Sequence, residues 1–236
     1  VLFPDPVSAG FAEAQSWLRR EAVQFRWHNQ DYLDWETFLA TLSHDKRKKI
    51  RQERKKVAQQ GVTCRVLEGA AINPEAWTLF YACYCQTYRA HGSRPYLPFS
   101  FFTTLGARMP DQLVMFIASL GTEDVAASLC LYQGDTLYGR YWGALRDVSC
   151  LHFELCYYLP QQFCIEKHLK HFEGGAQGVH KLARGFSPYM TCSYHWLAHP
   201  DFHQSVAHFL RRESSMVQGY VDELEERSPY RQAGAG

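Results

Sequence analysis

The sequence predicts an α+β (α/β) fold, a mixed and mostly antiparallel sheet flanked by helices, and three observations predict it. Helix-like and strand-like periodicities alternate along the 236 residues. Three strand-like runs follow one another with only short turns between them, the mark of antiparallel hairpins. Apolar residues make up 46% of the chain, enough to bury a large core, and no internal repeat or long linker divides it.

Taken in order, residues 7–21 read as a short helix and 23–28 (VQFRWH) alternate as a strand does. Residues 35–60 read as one or two helices, with Ser43 or Asp45 capping the second and Gly61 ending it. Residues 62–68 are strand-like. Asn73-Pro74-Glu75 is a strong helix start: a capping side chain, a proline whose missing N–H costs nothing there, and an acid in the first turn. Trp77, Phe80, Tyr81, Tyr84 and Tyr88 follow at helical spacing up to Gly92, and a further helix is expected at 98–107. The three-strand meander is 112–120, 124–133 and 136–144, turned by Gly121-Thr122-Glu123 and by Gly134-Asp135. After it come a helix at 152–169 interrupted by Pro160, a short strand at 171–173, a glycine-rich loop, a strand near 189–198 and a long helix at 201–226. That last helix carries Phe202, Val206, Phe209, Val217, Tyr220 and Leu224 on one stripe. The order is that of the GNAT (N-acetyltransferase) fold. The expectation is one domain over 1–236: a lead-in helix and strand (1–34), a basic helix region (35–60), a core (61–198) and a C-terminal helix and tail (199–236).

Composition narrows the function. With 25 Lys plus Arg against 24 Asp plus Glu, the net charge of +1 exerts no global pull on nucleic acid or anionic membrane. No apolar run reaches the roughly 18–20 residues of a membrane span, so no membrane insertion is expected. The eight cysteines form no CxxC pair and mostly sit in apolar runs, which reads as reduced thiols in a cytoplasmic protein. His195, His199 and His203 recur every fourth residue, but Pro200 starts a new helix between them, so no metal site is expected.

Charge is concentrated locally instead. Residues 46–56 hold eight bases in eleven positions. On a helical wheel Ile50 and Val57 make a narrow apolar seam, while Arg47, Lys48, Arg51, Arg54 and Lys55 fan over an adjacent face suited to phosphates. A second feature is 172–186, where Gly174, Gly175, Gln177 and Gly178 lie in a loop that lets backbone approach a ligand, with Lys181 and Arg184 three residues apart beyond it.

These two blocks, KRKKIRQERKKV and GRYWGALRDVSCLHFELCYYLPQQFCIEKHLKHFEGGAQGVHKLARGF, with YMTCSYHW downstream, resemble the FemAB-like, peptidoglycan-biosynthesis-type acyltransferase group of the GNAT superfamily, in its C-terminal GNAT-like domain. The resemblance runs from about residue 23 to the C-terminus. It implies an N-acyltransferase that moves an acyl or aminoacyl group to an amine, with aminoacyl-tRNA or acyl-CoA as donor, tRNA as a partner and no tightly bound cofactor. Relatives carry a further region before the point where this chain begins, so the resemblance implies that a preceding domain is absent here. The [QR]xxGx[GA] pyrophosphate loop of acetyl-CoA enzymes has no counterpart in 143–152, which weighs against CoA, although Arg146 and the helix start behind it leave that donor open.

The expected site follows. Glu154, with His152 two residues before it, opens the helix after the central strand, placed to orient or deprotonate the amine. Tyr141 on that strand and Arg146 are substrate-binding candidates, as are Gly174, Gly175, Gln177 and Gly178. Lys181 is expected to stabilise the tetrahedral oxyanion, and Arg184 to hold an anionic part of donor or acceptor. The competing expectation is a non-catalytic tRNA- or polyanion-binding module on a degenerate fold of the same kind, acting through 46–56.

Overall fold

The computed structural model describes residues 1–176 and 178–231. Its helices are α1 (Pro6–Ala14), α2 (Trp35–Thr41), α3 (His44–Gln59), α4 (Pro74–Ala90), α5 (Phe99–Arg108), α6 (Leu151–Phe153), α7 (Leu159–Glu166) and α8 (Pro200–Glu226). Its strands are β1 (Leu18–His28), β2 (Val62–Glu68), β3 (Leu113–Leu120), β4 (Glu123–Gln133), β5 (Thr136–Ala144), β6 (His171–Gly175) and β7 (Phe186–His195). The expected α+β class with a mostly antiparallel sheet holds. Several boundaries differ, the helix expected to reach 169 ending at Glu166 and the strand expected to reach 198 ending at His195 among them. Leu18–Glu21 belong to β1 and not to the first helix, because Ser16 turns with positive φ and ends the helix early. The strand expected near 189–198 begins at Phe186.

The chain forms two compact units. The larger comprises Trp27–Glu173 with Tyr230 and Arg231, and its strands run β2-β3-β4-β5-β6 and then the end of β1. The expected meander is there, β3, β4 and β5 pairing antiparallel, and β6 joins β5 in parallel at His171–Glu173. β3 (LVMFIASL) is buried along nearly its whole length, which is why it reads as a continuous apolar run and not as an alternation. Against the meander lie α4 and α5, with Trp77, Phe80, Tyr84 and Phe102 packed on Leu113, Met115, Ile117 and Leu129. Asn73 caps α4 as expected, its side chain accepting from the Ala76 N–H at 2.9 Å. α4 rests directly on β5: a Cβ at Gly143 would fall 2.1 Å from the Cys83 carbonyl oxygen, so only glycine allows this approach.

The smaller unit comprises Val1–Arg26 and Gly174–Pro229, Gln177 aside. In it most of β1 lies between the end of β6 and β7. Helix α8 buries only Val221 and Leu224. Of the expected stripe, Phe202, Phe209 and Tyr220 are exposed and Leu224 is buried.

Candidate functional site

In the larger unit the helix after β5 is one continuous element with a widened middle: α6, a π-helical stretch Glu154–Tyr158, and α7. The interruption expected at Pro160 does not occur, since helix continues to Glu166. The physical reason is local. Across the wide turn the Leu155 carbonyl would look to residue 160, a proline with no N–H, and the Ser128 hydroxyl donates to that carbonyl instead at 2.7 Å.

Glu154 opens this stretch and is buried. Arg54 of α3 reaches it in a fork: Nη2 donates to Oε1 at 2.8 Å, and Nε donates to Oε1 at 3.1 Å and Oε2 at 3.2 Å. The Arg54 guanidinium carbon stands 5.0 Å from the Trp35 ring centroid. Burial pushes the Glu154 carboxyl above its ordinary value, and the guanidinium pulls it partly back. One residue earlier on α3, buried Glu53 accepts from the Tyr158 hydroxyl. Ile50, Glu53 and Val57 are the buried positions of α3, so the expected seam of Ile50 and Val57 is present with a carboxylate in it. Sequence reasoning passed over Glu53. Its spacing, three after Ile50 and four before Val57, was the available signal.

Of the five bases expected on one face, Arg54 alone turns inward to a buried partner. Arg47, Lys48, Arg51 and Lys55 line a shallow groove with His44 and Gln52, and there Arg51 pairs with Glu36. The His152 ring lies edge-on to Trp142 at 5.3 Å and to Tyr157 at 5.4 Å. Tyr141 belongs to the aromatic cluster of Phe80, Tyr84 and Phe102. Arg146 is exposed and pairs with Glu123 at 3.3 Å.

In the smaller unit Gly174 and Gly175 end β6, and Gly178 opens a short 3-10 helix, Val179–Arg184, which Gly185 closes. Gly178 and Gly185 both have positive φ, which suits glycine. Gln177 lies outside the described residues. Lys181 is 6% exposed and Arg184 2%. Lys181 Nζ donates to the Gly175 carbonyl at 3.3 Å and stands 5.6 Å from the Phe25 ring centroid. Arg184 Nη1 donates to the His180 carbonyl at 2.7 Å. Three residues per turn place 181 and 184 on one side of this helix, as their spacing suggested. Gly174 makes room for the pair's surroundings: a Cβ there would come 2.8 Å from the Phe186 ring and 3.2 Å from Lys181 Cδ.

Among the described residues no group of three or more His, Cys, Asp or Glu could hold a metal, and His195 shares a 2.8 Å hydrogen bond with Ser193. No described helix is long and apolar enough to cross a membrane.

The sequence profile of the FemAB-like family, described as peptidoglycan biosynthesis/recognition, matches residues 1–232. The chain belongs to the FemAB-like family. This FemAB-like chain shares its fold with solved structures at low identity. The C-terminal domain of a protein assigned as a lysylphosphatidylglycerol synthetase from Agrobacterium fabrum aligns at 10% identity and TM-score 0.58, over 87% of this chain and 69% of that one. The L-PGS of Bacillus licheniformis aligns at 10% identity and TM-score 0.56, over 87% and 70%. FemX aligns at 11% identity and TM-score 0.51, over 78% and 64%. No curated protein matches the chain by sequence.

Proposed function

We propose that this FemAB-like chain is an N-acyltransferase that moves an acyl or aminoacyl group from aminoacyl-tRNA or an acyl-CoA to an amine. The observation that carries the reading is the buried ammonium of Lys181 in a glycine-flanked turn. Attack of the amine nitrogen on the acyl carbonyl puts a negative charge on oxygen before the donor's ester oxygen or thiol sulfur departs. A fixed cation in a dry setting favours that charge over the neutral carbonyl, by about 3 to 4 kcal/mol for one well-placed donor. Arg184 is assigned to an anionic part of donor or acceptor, with Gly174, Gly175, Gln177 and Gly178 giving backbone access. Glu154 and His152 belong to the larger unit and are assigned no step beside Lys181. Both oxygens of Glu154 are engaged by Arg54, so its part is to hold that arginine.

Lys181→Met is expected to lower turnover by about two to three orders of magnitude with little change in melting temperature or donor affinity. The measurement is transfer of labelled acyl group from aminoacyl-tRNA and from acyl-CoA to an amine acceptor. Wild-type-like transfer by a well-folded Lys181→Met chain would remove Lys181 from the chemistry. The groove of Arg47, Lys48, Arg51 and Lys55 favours a second reading, a polyanion-binding module without catalysis. A chain that transfers from no donor yet binds tRNA and unrelated RNA alike would establish that reading instead.

A further inference from the structure

The tyrosine hydroxyls at one corner of the larger unit play no part in the reading above beyond the candidacy of Tyr141. α4 presents Tyr84 and Tyr88 one turn apart, β5 presents Tyr141, and the segment between α4 and α5 brings in Tyr96. The rings are in contact: 4.8 Å between the centroids of Tyr84 and Tyr88, 5.5 Å for Tyr84 and Tyr141, and 5.7 Å for Tyr88 and Tyr96. The inner members of the cluster are Phe80, Tyr84 and Phe102, all buried, and the Tyr84 hydroxyl accepts from the Leu97 N–H at 3.2 Å. The Tyr96 and Tyr141 hydroxyls stand 3.2 Å apart. A phenol pair that bonds well closes to about 2.7–2.8 Å, so these two hold one another loosely.

The sheet has an irregularity at this place. Leu129 faces Tyr141 and Cys130 faces Gly139, which leaves Arg140 as the extra residue of a bulge on β5. Neighbours on a regular strand point to opposite faces, and a bulge re-aims one of them. Arg140 accordingly brings its guanidinium to 5.7 Å from the Tyr141 ring centroid. Arg140 is exposed, and among the described residues no carboxylate pairs with it. Burial, first among the causes, pushes the Tyr141 hydroxyl up to about 12 and raises that of Tyr88. Both phenols therefore remain protonated and able to donate.

We infer that Arg140, Tyr141 and Tyr96, backed by Tyr88, form a binding site for a small oxyanion, a carboxylate or phosphate group. The guanidinium supplies the charge and the phenols supply O–H donors, a charge-assisted set that prefers an anion to water. The site does not depend on the transferase reading, because the anion would bind in a chain that transferred nothing.

The test is calorimetric titration of the full chain at low ionic strength with sodium phosphate and, separately, with sodium acetate. Saturable binding of at least one is expected, and the tighter of the two names the group as phosphate or carboxylate. Arg140→Gln is expected to weaken it about tenfold or more, and Tyr96→Phe and Tyr141→Phe each by about three- to tenfold. Arg212→Gln, an exposed arginine on α8, serves as the control for loss of a positive charge and is expected to change nothing. Arg140 and Tyr96 are both exposed, so circular dichroism melts of their variants are expected to overlay the parent. Absence of saturable binding of either anion, or binding that Arg140→Gln leaves intact, overturns the assignment.

Discussion

Helices α3 and α8 reward their sequences in opposite ways. α3 carries eight bases in eleven residues and is nevertheless fastened down: Ile50 and Val57 are buried, Glu53 accepts from Tyr158, and Arg54 forks onto Glu154. α8 has the longer apolar stripe and the better amphipathic pattern, yet Phe202, Phe209, Met216 and Tyr220 stay exposed. Its fastening includes polar contacts, Arg20 onto Glu213 at 2.7 and 2.9 Å and Ser214 onto Glu21. What anchors a helix is what the facing surface offers. The π-helical stretch offers α3 a buried carboxylate and a phenol, whereas α8 buries only Val221 and Leu224. Periodicity names the face that could be buried; the partner decides whether it is.

The largest expected effect removes the polar anchor of α3. Arg54→Met strands a buried carboxylate, a loss on the order of 3 to 5 kcal/mol in a chemical denaturation experiment, toward the lower end because Arg54 keeps some solvent contact. The same variant carries a pH signature. Burial raises the Glu154 carboxyl above its ordinary 4.5, so the folded chain holds that proton more tightly than the unfolded one. The stabilisation from this group is complete below the ordinary value and is lost as pH rises through the raised value. Arg54 offsets part of the rise, so Arg54→Met is expected to lose stability with rising pH more steeply than the parent. Adding Glu154→Gln should flatten the profile. A parallel profile in Arg54→Met would show that the fork is not what controls Glu154.

The next effect compares the two apolar seams directly. Ile50→Ala is expected to cost about 2 to 4 kcal/mol, as a buried truncation does, and Phe209→Ala under about 1 kcal/mol, since its ring is largely in water already. Equal losses in the two would mean that the α8 stripe is covered in solution. The smallest effect on stability belongs to the outer face of α3. Neutralising Arg47, Lys48, Arg51 and Lys55 together is expected to leave the melt almost unchanged, within about 0.5 kcal/mol for each position, while flattening the salt dependence of RNA binding. An unchanged slope of binding against salt would detach this face from any polyanion. Arg54 is left out of that set because it serves the buried pair.

Much of the larger unit was legible from residues close together in sequence. The Asn73-Pro74-Glu75 start, the positive-φ stops at Gly61 and Gly92, the glycine turns of the meander and the seam of α3 each depend on a few neighbouring residues, and each stands as read. The candidate site was legible only as a set of residue types. Lys181 and Arg184 were visible as cations beyond a glycine loop, whereas their burial was not, because lysine and arginine in loops are ordinarily solvated. The break expected at Pro160 of the 152–169 helix is absent: proline alone argues for one, and the hydroxyl that compensates comes from β4, 27 residues away.

The sequence by itself determined the order of the main elements, the cap of α4, the turns of the meander and the concentration of positive charge on α3, which follow from hydrogen-bonding and packing rules acting over one or two turns. Ser43, an expected cap of α3, stands at the N-cap without a side-chain cap hydrogen bond. The tertiary structure alone decided which charge goes inward, which stripe stays wet and which strand bulges. The fork between Arg54 and Glu154 joins residues 100 apart, and the bond from Tyr158 to Glu53 joins residues 105 apart. A buried charge is tolerated only where the fold delivers its partner, and local periodicity carries no record of a partner that distant.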